Sequence, residues 1–168
     1  NVQKDEVKAA IKQVQAATQS PQVLEKITGV LRKVNKPRNL ATGAVASSPD
    51  GLEADGASGN DQAAIDGDPN TYWDETDSQP LYRFKVTFPQ LTAVNAINLK
   101  GHAYRSHSPK DFDILCDDAV VKTMRNAEYD KISNEIFISF PRTTCKALEL
   151  KITGYYGLSP GIRELEIY

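Results

Sequence analysis

From Asn39 to the C-terminus the chain is written in short alternating segments, and this pattern constrains the fold more than any other feature. In "LYRFKVTF" the residues Tyr82, Phe84, Val86 and Phe88 fall on one side, and "AINLKG", "DFDILC", "EIFISF", "ALELKI" and "GIRELEIY" alternate in the same way. Successive side chains of a strand point to opposite faces, so alternation marks a strand with one buried face. Gly, Pro, Asn and Asp separate the segments and no helical pattern lies between them. The expected class is all-β, an antiparallel sandwich or jelly roll. "PDGLEADGASGND" has no periodicity and reads as a long surface loop.

The residues before Asn39 follow a different period. Val7, Ala10, Ile11 and Val14 recur at three-and-four spacing, as on one face of a helix. Ser20 and Pro21 supply an N-cap and a first-turn proline for a second helix, with Leu24, Ile27, Val30, Leu31 and Val34 on its apolar face and "NKPRN" after it. Two short helices cannot bury both stripes alone, so a helical linker or hairpin over 1–37 is expected to pack on domain 38–168 or on a neighbour.

With 168 residues and a formal charge of -2, the chain has room for one core and an appendage, and lacks the basic excess that nucleic acid binding needs. No apolar run approaches the roughly 20 residues that span a bilayer. The chain starts at Asn1 with no signal-like segment, which suggests a soluble piece, mature or cut from something larger. Cys116 shares the parity of Phe112 and Ile114, whereas Cys145 is out of phase with Leu148, Leu150 and Ile152. One should point inward and the other outward, which predicts two free thiols.

"AIDGDPNTYWDE", Ala64 to Glu75, gathers four acids, a Gly, a Pro and the single Trp. An EF-hand would need acids at alternate positions between two helices, and the Pro and the Tyr-Trp pair break that pattern. Paired catalytic carboxylates would need a supporting scaffold that the sequence does not offer. Two readings stay open from the residues alone: a plain Asx-type turn with solvated acids, and a turn that aims the Asp66 carboxylate, nearby carbonyls and the Thr71 hydroxyl at one hard cation.

"AAIDGDPNTYW", then "SPKDFDIL", then the terminal "GLSPGIRELEIY" resemble, in order and separation, the coagulation factor V/VIII C-type (discoidin-like) domain, and within it the family 32 carbohydrate-binding modules of bacterial glycoside hydrolases and sialidases. The resemblance implies a galactose-binding-domain-like jelly-roll sandwich whose first and last strands lie side by side. It also implies a structural calcium ion held by the Asp66 carboxylate, the Ala63 and Asp68 carbonyls, the Thr71 carbonyl and hydroxyl, the Arg163 carbonyl and the Glu164 carboxylate. Trp73 would pack in the core beneath that turn.

Family members read non-reducing-end sugars, often galactose or its N-acetylated relatives, at loops on one end of the sandwich. A sugar site needs a ring for the apolar face and fixed polar groups for the hydroxyls. "GHAYRSHS" offers His102, Tyr104, Arg105 and His107, and "GYYG" offers Tyr155 and Tyr156. Asp74 and Glu75 stand where galactose-binding members often place a His, and "LSPG" stands where an aromatic is common. The usual galactose reader is therefore not intact.

The resemblance implies a non-catalytic module, extracellular or periplasmic, that tethers a covalently linked glycan-processing enzyme to glycan. The alternative is a structural or protein-docking domain of such an enzyme without a sugar site. Phospholipid binding, as in the blood-clotting relatives, would want apolar spikes beside basic residues, and the loops here are acidic.

Overall fold

The computed structural model describes residues 2–18, 20, 23, 37–53, 60–103 and 105–168. The chain divides into two units, Asn1–Arg38 and Asn39–Tyr168. In the first, α1 spans Val2–Ala17, as the three-and-four spacing predicts. Val14, on the apolar stripe, is about half exposed. The second expected helix, from Pro21 through Val34, lies outside the described residues apart from Val23, so the two-helix segment is not supported and α1 is the one α-helix given among the described residues.

The second unit is an antiparallel sheet of β1 (Val45–Ser47), β2 (Tyr82–Gly101), β3 (His107–Cys116), β4 (Ala119–Met124), β5 (Glu135–Gly157) and β6 (Ile162–Ile167). The order is β1-β2-β5-β3-β4, and β6 pairs with a different stretch of β2 from the one that β1 uses. The segments "LYRFKVTF" and "AINLKG" belong to one strand, β2, and "EIFISF" and "ALELKI" to another, β5. These two long strands pair antiparallel, and their register shifts between Thr87 and Thr92 and again between Val94 and Ala96.

The inward parity changes along both strands. In β2 the buried side chains are Tyr82, Phe84, Val86, Phe88 and Val94 up to the second shift and Ile97 and Leu99 after it, so even positions give way to odd ones. In β5, Ile138 and Phe140 are buried, then Cys145 and Ala147, then Leu148, Leu150 and Ile152. A register shift swaps the faces a strand presents, so two bent strands can line both parts of one core.

That change of phase overturns the expectation of free thiols. Cys116 and Cys145 form a disulfide, with their Cα atoms 5.5 Å apart. Asp117, with φ +45, accepts from the amides of Lys146 (2.9 Å) and Ala147 (2.9 Å), so β5 is held by a side chain where the regular ladder lapses. Strict alternation counted back from Leu148 does not survive this irregularity, and Cys145 turns into the core at 0% exposure.

The two ends of the unit meet. The Leu40 amide donates to the Ile167 carbonyl (2.7 Å), and the Ile167 amide donates to Asn39 Oδ1 (3.0 Å).

Candidate functional site

The connector from Gly157 to Gly161, with the start of β6 that follows it, organises one end of the sheet. On one side, Trp73 and Ile162 exchange two backbone hydrogen bonds of 2.8 Å, and the Ser78 amide donates to the Leu158 carbonyl (2.8 Å). On the other side, the His102 amide donates to the Gly161 carbonyl (2.9 Å), and His107 forms a parallel bridge with Ser159. The acidic turn and the "GHAYRSHS" loop are thereby fixed against one strip of chain. Gly157 has φ +75, and a Cβ there would run into the Ser106 carbonyl. A Cβ at Gly161 would lie 2.9 Å from that of His102. Glycine at these two positions permits the close seating of the loop.

Within the acidic turn, Thr71 Oγ1 lies 2.9 Å from Asp66 Oδ2, 3.0 Å from Asp66 Oδ1, 3.0 Å from the Asp68 carbonyl and 3.3 Å from the Ala63 carbonyl. A hydroxyl carries one proton, so it can satisfy one of these oxygens at a time. The Asp68 amide donates to Asp66 Oδ1 (2.8 Å), and across 97 residues of chain the Gly67 amide donates to Glu164 Oε2 (3.1 Å). The other Glu164 oxygen, Oε1, is buried. No group of three His, Cys, Asp or Glu side chains suited to a metal occurs among the described residues. The donors here are two carboxylates with carbonyls and a hydroxyl, a set that suits a hard cation such as calcium. An excess of crowded acceptors over donors is what such an ion would relieve, so the residues fit it. Of the expected ligands, the structure brings Ala63, Asp66, Asp68 and Thr71 together and sets Glu164 at the turn.

The Arg163 side chain has a role that the sequence does not announce. Nη1 donates to the Pro69 carbonyl (2.6 Å), Nη2 lies 2.9 Å from His102 Nδ1, and the guanidinium carbon stands 5.8 Å from the centre of the Tyr72 ring. Tyr72 and His102 stack with ring centres 3.7 Å apart and planes 17° from parallel, and His107 meets His102 edge-on at 5.9 Å. Burial pushes the His102 pKa down to about 4, with the charge of Arg163 and the neighbouring His107 acting in the same direction. Tyr72 could have been found: it alternates with Trp73, so an inward Trp73, 1% exposed, implies an outward Tyr72.

The other candidates divide. Arg105 is exposed at the tip of a turn closed by Ala103 and His107, with φ +64. Tyr104 lies outside the described residues. Tyr155 meets the buried Tyr82 edge-on at 5.5 Å, and the Tyr156 hydroxyl donates to the Ala127 carbonyl (3.1 Å), so both rings are partly committed to packing. Asp74 is 8% exposed and Glu75 0%, so the structure does not put Glu75 on a ligand surface. Trp73 above it is inward, so the residue two positions on follows it into the core.

Neither oxygen of Glu75 has a hydrogen-bond partner among the described residues. Burial raises its pKa to about 7, and the charges of Asp50 and Asp61 add to the rise. The Ser48 hydroxyl and the Trp73 indole offset part of it without hydrogen-bond geometry to the carboxylate, because the indole donates to Ser48 Oγ (3.0 Å) and Ser48 to Asp61 (2.6 Å).

A six-strand antiparallel sheet whose acidic turn and terminal strand meet beside a histidine-bearing loop has clear counterparts among solved structures. Chitosan-binding module 1 of a chitosanase/glucanase from Paenibacillus sp. IK-5 superposes with a TM-score of 0.65 over 79% of this chain and 99% of its own, at 20% identity. The fold is that of a discoidin-like, family 32-type carbohydrate-binding module. A family 32 module from Clostridium perfringens in complex with GalNAc-β-1,3-galactose matches with a TM-score of 0.63, 14% identity and coverage of 78% of this chain and 99% of its own. Another, from a family 31 glycoside hydrolase of the same organism, matches with a TM-score of 0.62, 18% identity and coverage of 77% and 92%. No family model and no curated protein matches the sequence.

Proposed function

We propose that this chain is a non-catalytic carbohydrate-binding module. The observation that carries the reading is the meeting of the 66–75 turn and the 101–107 loop on one connector, at one end of a fold shared with sugar-binding modules. The partly buried Tyr72 and His102 rings offer an apolar edge, His107 offers a polar group beside it, and Arg105 is an exposed cation in the same loop. That combination suits the non-reducing end of a glycan, of galactose or amino-sugar type. The acids of the turn are held by its own hydrogen bonds or buried, which supports binding rather than hydrolysis.

The turn holds a structural calcium ion through Asp66, Thr71, Glu164 and the Ala63 and Asp68 carbonyls. The ion supplies positive charge among crowded oxygens and takes no part in chemistry. The module is linked to a secreted bacterial glycan-processing enzyme and tethers it to glycan, where a single-site Kd of about 1 mM suffices once linkage raises the effective concentration. The disulfide agrees with an extracellular or periplasmic setting, because such bonds persist in oxidising compartments.

A glycan array followed by calorimetry tests the reading. A hit that weakens at least tenfold in His102→Ala or Arg105→Ala supports it. No binding of any glycan at millimolar concentration overturns it in favour of a structural domain.

A further inference from the structure

Arg163 spans the distance between the cation turn and the ligand loop, touching a backbone oxygen on one side and a ring nitrogen on the other. Pro69, whose carbonyl it holds at 2.6 Å, lies between two of the turn's oxygen donors, Asp68 and Thr71. His102, whose Nδ1 it meets at 2.9 Å, lies in the loop proposed to read the ligand. A guanidinium only donates, so Nδ1 must be the accepting nitrogen and the ring proton sits on Nε2. The second link runs through the main chain. Tyr72 follows the donor Thr71 directly and stacks on the same imidazole at 3.7 Å. The ring is therefore held by its edge and by its face, and both holds start from residues 69–72.

We infer that Arg163 is a positioning residue that couples the two sites: a divalent cation ordering the 66–71 turn fixes His102 as a neutral Nε2–H donor within the ligand loop. This rests on the cation reading proposed above. Ordering the turn fixes the Pro69 carbonyl, which fixes one arm of a planar fork, and a rigid fork has one place for its other arm. The ligand that such a site prefers presents an acceptor oxygen to His102, and by linkage it must tighten the cation by the factor with which the cation tightens it.

The test is a calcium titration of the full chain followed by NMR, reading the backbone amides of Asp66 and Gly67 together with the imidazole nitrogens of His102. In the wild type both sets shift together, with His102 nitrogens converging on the Nε2–H pattern. In Arg163→Met the turn amides still shift and calcium binds no more weakly, since a nearby positive charge has been removed, but the His102 nitrogens no longer converge on the Nε2–H pattern, because the Tyr72 stack holds the face of the ring and does not select its tautomer. Arg163→Lys keeps the charge and the stem, and its single ammonium cannot reach both acceptors, so it fails to rescue; it decides the matter alone if the methionine variant does not fold. The inference is overturned if calcium moves the turn and leaves His102 unmoved in the wild type, or if His102 responds equally in both variants. Calcium that moves no resonance in the wild type overturns the cation reading itself, and the coupling with it.

Discussion

The two ends of the sheet are held by different means. At one end Cys116 and Cys145 close a covalent link under the core, and Asp117 clamps two amides of β5 beside it. At the other, the 66–75 turn and the 101–107 loop are held by backbone hydrogen bonds to one connector, a stacked ring pair and a set of oxygens with more acceptors than protons. The disulfide needs no ion to hold. With the cation proposed above, the other end would depend on it, and the buried Glu75 carboxyl makes that end sensitive to pH.

The largest expected effect falls on the covalent end. Replacing both cysteines by serine removes a link across a sequence separation of 29 residues, worth roughly 3–4 kcal/mol in the chain-entropy model. Denaturant unfolding should show that loss with and without calcium alike. Next comes the cation: at a hundred times its Kd, calcium should add about 2.7 kcal/mol, seen as a melting temperature that falls in EDTA and recovers on readdition. An unchanged melting curve would erase the contrast between the ends.

A smaller effect should come from Glu75. The unfolded chain releases this proton near the ordinary carboxyl value of 4.5, whereas the folded chain keeps it until about pH 7. The folded state binds more protons in that window, so stability is greatest below about pH 4.5 for this group and declines as pH rises through 7. Glu75→Gln should flatten that decline and gain on the order of 1–2 kcal/mol at pH 8, read from denaturant midpoints across pH. The smallest effect belongs to Tyr72→Leu, which removes the stack on His102 and should cost about 0.5–1.5 kcal/mol. Amide exchange at His102 should quicken while that at Cys145 stays unchanged.

The fold was legible where alternation is strict. Each expected strand is present, but the joins were not visible, because Pro89 and Pro141 fall among the residues that separate the alternating segments and instead lie inside single long strands. β4 escaped notice because its burial does not alternate, being an edge strand with much of both faces in solvent. The disulfide was missed for a related reason. Parity is a local rule, and the register shift lies between Cys145 and the residues used to judge it. At the site, the turn's oxygens were anticipated through family resemblance, whereas the Arg163 side chain was not. Its two acceptors lie 94 and 61 residues away, and no spacing in the sequence encodes such a meeting.

The meeting of Asn39 and Leu40 with Ile167 bears on how the unit would carry a mechanical load. A pull applied between Asn39 and Tyr168 loads the Leu40–Ile167 and Ile167–Asn39 hydrogen bonds together with those that tie Tyr168 to Asn95 and Ala96 of β2. Because β2 also pairs with β5, tension at the two ends of the unit would pass through β2 into the sheet.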